Sequence, residues 1–212
     1  MSQLRIREIF PTIQGEGRYT GAPSVFVRLQ GCDVGCPWCD TKESWDFGAH
    51  DILVVVRGRD LADLLRAQHG AKPGIHHIVI TGGEPAAYDL LEATAGLIAR
   101  GFTVSVETSG TYPLRVHDDT WVTVSPKWDM PGGRKVRDDV LYRANELKCV
   151  VGKDADVDRA VDAWLPEQRA NGVQLYLQPL SMSSKATELC VAACLETGAH
   201  LSPQTHKHLG LP

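Results

Sequence analysis

The 212-residue sequence is short of several things, and each shortage removes a class of function. No basic excess is present: 22 Lys and Arg stand against 26 Asp and Glu, a net charge of −4 that offers no cationic face to a nucleic-acid polyanion. Nowhere do about 18 apolar residues run together, so no membrane span is expected. The start, Met1-Ser2-Gln3-Leu4-Arg5-Ile6, lacks the apolar core of a secretory signal. A cytoplasmic protein is therefore expected, with thiols free or metal-bound rather than paired. Repeats and low-complexity tracts are also missing. At this length, with 43% hydrophobic residues, a single domain over 1–212 is expected to bury a full core.

Cysteine is not scarce. Three of the six lie in Gly31-Cys32-Asp33-Val34-Gly35-Cys36-Pro37-Trp38-Cys39-Asp40-Thr41. The C-x3-C-x2-C spacing sits in a loop whose glycines and proline permit the turns needed to wrap three thiolates around one inorganic centre. A fourth ligand is lacking. Structural zinc and ordinary iron–sulfur sites close with four, and no second C-x2-C or H-x3-H follows at suitable spacing. A 4Fe–4S cluster on three thiolates leaves one iron open to a small molecule. The other cysteines read as core: Cys149 lies in the apolar run 147–151, and Cys190 and Cys194 are four apart on one helix face.

Around this loop the chain alternates. Leu4 to Phe10 reads as a strand ended by Pro11, and Ser24 to Leu29 as a strand delivering the chain into the cysteine loop. Between them, the Gln14-Gly15-Glu16-Gly17 loop is either a close approach to a ligand or a plain surface turn. Arg28 suits a bidentate carboxylate contact or a strand-edge salt bridge. Ile52 to Val56 is β-branched, Leu61 to Gln68 helical, and Ile75 to Thr81 a buried strand running into Gly82-Gly83-Glu84-Pro85. In parallel β/α architectures such a C-terminal strand edge is where ligands bind. Further strands are expected over 103–107, 121–124, 146–151 and 173–177, and helices over 88–100, 155–170 and 184–198, with 130–139 a mobile loop. Glu107, Ser125-Pro126-Lys127 and Gln178-Pro179-Leu180 stand at strand ends. About six parallel strands with three or four crossover helices are too few for an eight-fold barrel, so an α/β fold with an incomplete, open β/α barrel is expected. The tail from Gln204 to Pro212 is either a surface tail or docked, with its carboxylate near a site.

The cysteine loop and Thr81-Gly82-Gly83-Glu84-Pro85 together resemble the radical S-adenosylmethionine (SAM) superfamily. Phe10-Pro11-Thr12-Ile13-Gln14-Gly15-Glu16-Gly17, Trp38-Cys39-Asp40-Thr41, Glu107-Thr108-Ser109-Gly110, Ser125-Pro126-Lys127, Gln178-Pro179 and Gln204-Thr205-His206-Lys207 resemble segments of its 7-carboxy-7-deazaguanine synthases. The resemblance covers nearly the whole chain. It implies a shortened β6/α3-like barrel, a homodimer, and ring contraction of 6-carboxy-5,6,7,8-tetrahydropterin with loss of ammonia, toward queuosine or another deazapurine. An electron from a flavodoxin-type donor is implied, passing through the cluster to cleave SAM to methionine and a 5′-deoxyadenosyl radical that takes hydrogen from C6 of the pterin. Family members also use Mg2+, and some have an insertion between the first two cysteines that this sequence lacks.

By the same resemblance, Cys32, Cys36 and Cys39 hold the cluster. Gly83 and Glu84 meet the methionine end of SAM, and Trp38, Cys39 and Asp40 its neighbouring atoms. Ser125, Pro126, Lys127, Gln178, Pro179 and Leu180 line its ribose and adenine side, with Glu107 reaching the ribose. Ile13, Gln14, Gly15, Glu16, Arg28, Thr81 and His206 bind the pterin, Arg28 facing a carboxylate, and Pro212 closes the pocket. Thr41 is the implied Mg2+ ligand, with simple hydrogen bonding as its alternative. Two rivals stand beside this reading. Another small radical SAM enzyme, such as a glycyl-radical activase, would need an open face for a partner protein. A non-enzymatic electron carrier wants four protein ligands on its cluster.

Overall fold

The computed structural model describes residues 3–69 and 74–212. Leu4 and Ile6 point one way from β1 (Gln3–Ile13) into the core, while Arg5 and Arg7 alternate with them. This strand pairs antiparallel with β2 (Pro23–Leu29) and, over Gln3–Ile6, with β3 (Val54–Arg57). From β2 onward every pairing is parallel, through β4 (His77–Gly82), β5 (Thr103–Thr108), β6 (Trp121–Val124), β7 (Glu146–Val151), β8 (Gln174–Pro179) and β9 (His200–Leu201). The order β3-β1-β2-β4-β5-β6-β7-β8-β9 leaves two edges among the described residues, so the barrel is not closed. The expected parallel strands are present, and β9, two residues long, is an addition.

Helices α1 (Leu61–His69) and α2 (Leu91–Ile98) cover the first half of the sheet. Leu61, Leu90 and Leu97 meet Leu4, Val27 and Ile80 there, all fully buried. In the second half, α3 (Asp138–Arg143), α4 (Asp154–Ala163) and α6 (Ser184–Thr197) pack Val140, Ala160 and Cys190 on Val124, Leu147 and Leu177. Each Val, Leu or Ile among them contributes about 1.5–3 kcal/mol by leaving water. Cys149 and Cys194 belong to this second cluster, as their sequence context suggested.

Prolines and a 3-10 turn shift several boundaries from expectation. Pro11 does not end β1; it pairs with Val25 beyond the reach of β3, where a missing N–H on an open edge costs no ladder bond. The expected helix over 155–170 breaks at Pro166, which forces Leu165 to an extended ψ of 153° and opens the separate helix α5 (Pro166–Ala170). The helix expected from residue 88 begins only at Leu91, after a 3-10 turn over Pro85–Ala87.

The connection between β1 and β2 folds under the N-terminal ends of the parallel strands and floors the half-barrel. Tyr19 packs its ring 4.3 Å from His77 and 5.5 Å from Trp121, the first residues of β4 and β6. The Arg18 amide donates to Glu146 Oε2 at 2.9 Å, at the start of β7. His77 bridges three strands beneath this floor, its Nδ1 2.9 Å from Ser24 Oγ and its Nε2 2.7 Å from Ser105 Oγ. Burial holds its pKa down at about 4, so the ring is neutral.

Candidate active site

The cysteine loop leaves β2 at the C-terminal edge of the sheet and is fastened on two sides. The Gly31 and Cys32 amides donate to Ser44 and Trp45 carbonyls at 2.7 and 2.9 Å. On the other side Arg134 grips both oxygens of Asp33 at 2.6 Å, and the Gly132 amide donates to the Val34 carbonyl at 3.1 Å. Of residues 130–139, expected to be a mobile loop, Gly132 and Arg134 are thus bonded to the cysteine loop, and Asp138 and Asp139 instead open α3. Cys32, Cys36 and Cys39 all face one cavity of about 530 Å³. Burial pushes the Cys32 thiol up to about 11 and raises Cys36 as well, so a metal binding here must displace protons.

Beside the loop, the Gly82-Gly83-Glu84 segment is locked to the end of β2. The Gly83 amide donates to the Leu29 carbonyl at 2.9 Å and the Glu84 amide to Gly31 at 2.8 Å. A Cβ on Gly83 would lie 2.2 Å from the Gly31 oxygen, so only glycine permits this approach. The Glu84 carboxylate is 1% exposed and takes three donors: Ala86 N at 2.9 Å, Thr108 Oγ1 at 2.5 Å and Ser109 N at 2.8 Å. It holds two strand ends together.

The floor of the cavity is charged and paired. Lys148, 4% exposed on β7, reaches Glu16 Oε2 at 2.5 Å and Glu107 Oε2 at 2.7 Å. Gln14 Nε2 donates to Glu107 Oε1 at 2.9 Å and Gln204 Nε2 to Glu16 Oε1 at 2.8 Å. Burial would raise the Glu16 carboxyl, but the Lys148 ammonium and the donors around it bring it down to about 2. The same two carboxylates overcome burial at Lys148 and hold its pKa above the ordinary value. Lys127 is pushed down by burial and donates to the Ser125 carbonyl at 2.9 Å. Gln178, 8% exposed, keeps a buried Oε1 without a partner on the wall.

The tail is docked. It forms α7 (Thr205–Leu209), and the Thr205 amide donates to the Gly15 carbonyl at 3.1 Å. Lys207 pairs with Asp40 of the cysteine loop at 2.8 Å, and Thr12 Oγ1 donates to the Pro212 carbonyl at 3.4 Å. His206 presses on Gly15, where a Cβ would sit 2.3 Å from its Nδ1. Burial lowers the His206 pKa, so the ring is neutral at pH 7.

Ile13, Gln14, Gly15, Glu16, Arg28, Trp38, Asp40, Thr41, Thr81, Gly83, Glu84, Glu107, Ser125, Lys127, Gln178, Pro179, Leu180, His206 and Pro212 line the cavity with the cysteines. Pro126 does not: it is buried behind the wall, turning the chain between Ser125 and Lys127. Arg28 lines the cavity, and its Nε donates to Glu8 at 2.5 Å, the salt bridge of its second reading. Sequence reasoning missed Lys148, Gln204 and Trp45, which also line it. Lys148 had a usable signal, since a lysine inside the apolar run 147–151 must find a countercharge when the strand is buried.

An open parallel half-barrel bearing three cysteines and a Gly-Gly-Glu turn at its C-terminal edge defines a radical SAM protein. The radical SAM superfamily model accordingly matches residues 26–125. Over its length the chain is 42% identical to the 7-carboxy-7-deazaguanine synthase of Escherichia coli strain K12, with 99% of each chain covered. It is 39% identical to that of Synechocystis sp., covering 97% of this chain and 92% of the relative. The crystal structure of QueE from Escherichia coli superposes with a TM-score of 0.87 at 40% identity, covering 95% of this chain and 94% of that one. The chain belongs to the 7-carboxy-7-deazaguanine synthase family.

Proposed function

We propose that the protein converts 6-carboxy-5,6,7,8-tetrahydropterin to 7-carboxy-7-deazaguanine, a ring contraction that expels ammonia, in queuosine or related deazapurine biosynthesis. The supporting observation is convergence: the three-cysteine loop, the Gly82–Glu84 turn and the contact between the Gln14–Gly17 loop and the tail all line one cavity of about 530 Å³.

Cys32, Cys36 and Cys39 would hold a 4Fe–4S cluster, for which their shared cavity face and one-sided loop are suited. When bound, the cluster supplies an electron and an open iron for SAM. The protein supplies position, charge and dryness. Backbone carbonyls at Gly82–Gly83 would suit an ammonium, so the amino group of SAM would dock there, with Glu84 shaping the turn from behind. The unpartnered Gln178 Oε1 awaits a hydroxyl or amino donor from the ribose and adenine side, next to Ser125 and Lys127. Arg28 faces the pterin carboxylate, and neutral His206 with Gln14 and the Glu16 carboxylate meets the pterin edge. The docked tail keeps water out.

Mg2+ at this site would take the Thr41 hydroxyl, substrate oxygens and water, consistent with its habit of keeping waters. A low-potential flavodoxin-type donor and a homodimer complete the reading. No described helix is long and apolar enough to cross a membrane.

Anaerobic incubation of the reconstituted protein with SAM, dithionite, Mg2+ and the pterin tests the proposal. The wild type is expected to yield a product lighter by one ammonia, and Cys36→Ala none. SAM cleavage with an unchanged pterin would keep the superfamily and discard the substrate.

A further inference from the structure

Trp45 is tied to two of the three cysteines. Its carbonyl accepts from the Cys32 amide at 2.9 Å, and its indole Nε1–H donates to Cys39 Sγ at 3.3 Å. The residue closes the 3-10 turn Lys42–Ser44, which fully buried Gln30 clamps by donating to the Glu43 carbonyl at 3.1 Å and the Asp46 carbonyl at 2.8 Å. The indole therefore has little freedom to leave the sulfur. Lys42 Nζ lies 5.9 Å from the ring centroid, where its charge draws density from the indole and strengthens the N–H as a donor. Thr41 Oγ1 stands 3.6 Å from the same sulfur, so two side-chain partners gather on Cys39.

We infer that Trp45 is a positioning residue that fixes the Cys39 thiolate and raises the reduction potential of the cluster bound there. The inference rests on Cys32, Cys36 and Cys39 being cluster ligands. In the reduction, a low-potential one-electron donor passes one electron to the cluster; no bond breaks, and the indole keeps its proton. The added electron increases negative charge on the sulfurs, so an N–H aimed at one of them stabilises the reduced state more than the oxidised. A phenyl ring would fill much the same space without this effect. The net worth of one hydrogen bond corresponds to about a two- to tenfold change in the ratio of reduced to oxidised cluster at a fixed potential.

The full-length protein and Trp45→Phe are reconstituted, assayed for iron and sulfide, and titrated against poised mediators, with reduced cluster read by electron paramagnetic resonance. The Phe variant should show a midpoint shifted to more negative potential, with a two- to tenfold drop in the reduced-to-oxidised ratio at the wild-type midpoint. Placing β-(3-benzothienyl)alanine at position 45 replaces only the N–H and keeps the ring shape. It should reproduce the shift, and it decides the matter if Trp45→Phe fails to hold a cluster. A wild-type midpoint in the isostere variant overturns the inference while leaving the proposed function standing. A wild type that assembles no cluster overturns both.

Discussion

Removing the Lys148 ammonium should cost more than any single surface change in this protein. Lys148→Met keeps most of the side-chain length but strands Glu16 and Glu107, whose side chains are only 14% and 19% exposed. Breaking a buried ion pair from one side costs about 3–5 kcal/mol, because the remaining charge keeps its desolvation penalty. The depression of the Glu16 carboxyl gives a similar figure. Glu16 falls from 4.5 to about 2 in the folded protein, which corresponds to about 3 kcal/mol. A depressed carboxylate contributes stability above its unfolded pKa, so the wild type should lose this amount as pH falls from about 4.5 toward 2. In Lys148→Met the sign reverses. The stranded carboxyls are raised, so the variant's deficit should be larger at pH 8 than at pH 5.5, where protonation relieves them. Urea unfolding of the apoprotein, followed by circular dichroism under argon, measures both. A deficit below about 1 kcal/mol at pH 8, or one independent of pH, would refute the reasoning, since breaking a buried pair should cost several times that. The triple variant Glu16→Gln, Lys148→Met, Glu107→Gln should recover most of the loss.

His77 predicts a second pH window. Its pKa drops from 6.5 to about 4 on folding, so the unfolded state protonates first and stability declines as pH falls through that range, by about 3 kcal/mol in all. His77→Gln should flatten the urea midpoint against pH between 6.5 and 4. Gly83→Ala places a methyl 2.2 Å from the Gly31 oxygen and 2.9 Å from that of Ser44, both backbone, so the cysteine loop must shift; iron uptake on reconstitution should collapse. Gly74→Ala, with nothing within 4 Å, should load normally. Truncation after Gln204 removes the Thr205–Gly15 and Lys207–Asp40 contacts. It should raise KM for the pterin by about tenfold, the worth of roughly 1.4 kcal/mol of lost binding, while iron content stays unchanged.

Much of the site was legible because its chemistry is local. Three thiols within eight residues and two glycines before an acid announce themselves wherever the chain places them. The parallel half-barrel was legible too, since β-branched runs alternating with helical stretches have few other solutions. The pairings of Lys148 and Gln204 were not, because they lie with partners such as Glu16, 132 and 188 residues away. Trp45 sits only six residues from Cys39, yet nothing in its spacing says that an indole N–H will find a sulfur. Pro166 was legible and was passed over. Pro11 misled because a proline ends a strand only where its missing N–H would have been paired, and beyond Ile6 the outer side of β1 is open. Pro126 shows the converse: a motif position beside two cavity residues that is itself buried and does not line the cavity.

The central claim is that one cavity brings the adenosyl group of SAM against C6 of the pterin. Pterin deuterated at C6, incubated with the reconstituted protein, SAM and reductant, tests this by mass spectrometry of the adenosyl products. Deuterium should appear at the 5′ carbon of SAM or 5′-deoxyadenosine. Adenosyl products free of deuterium, formed while the pterin is present in excess, would contradict it.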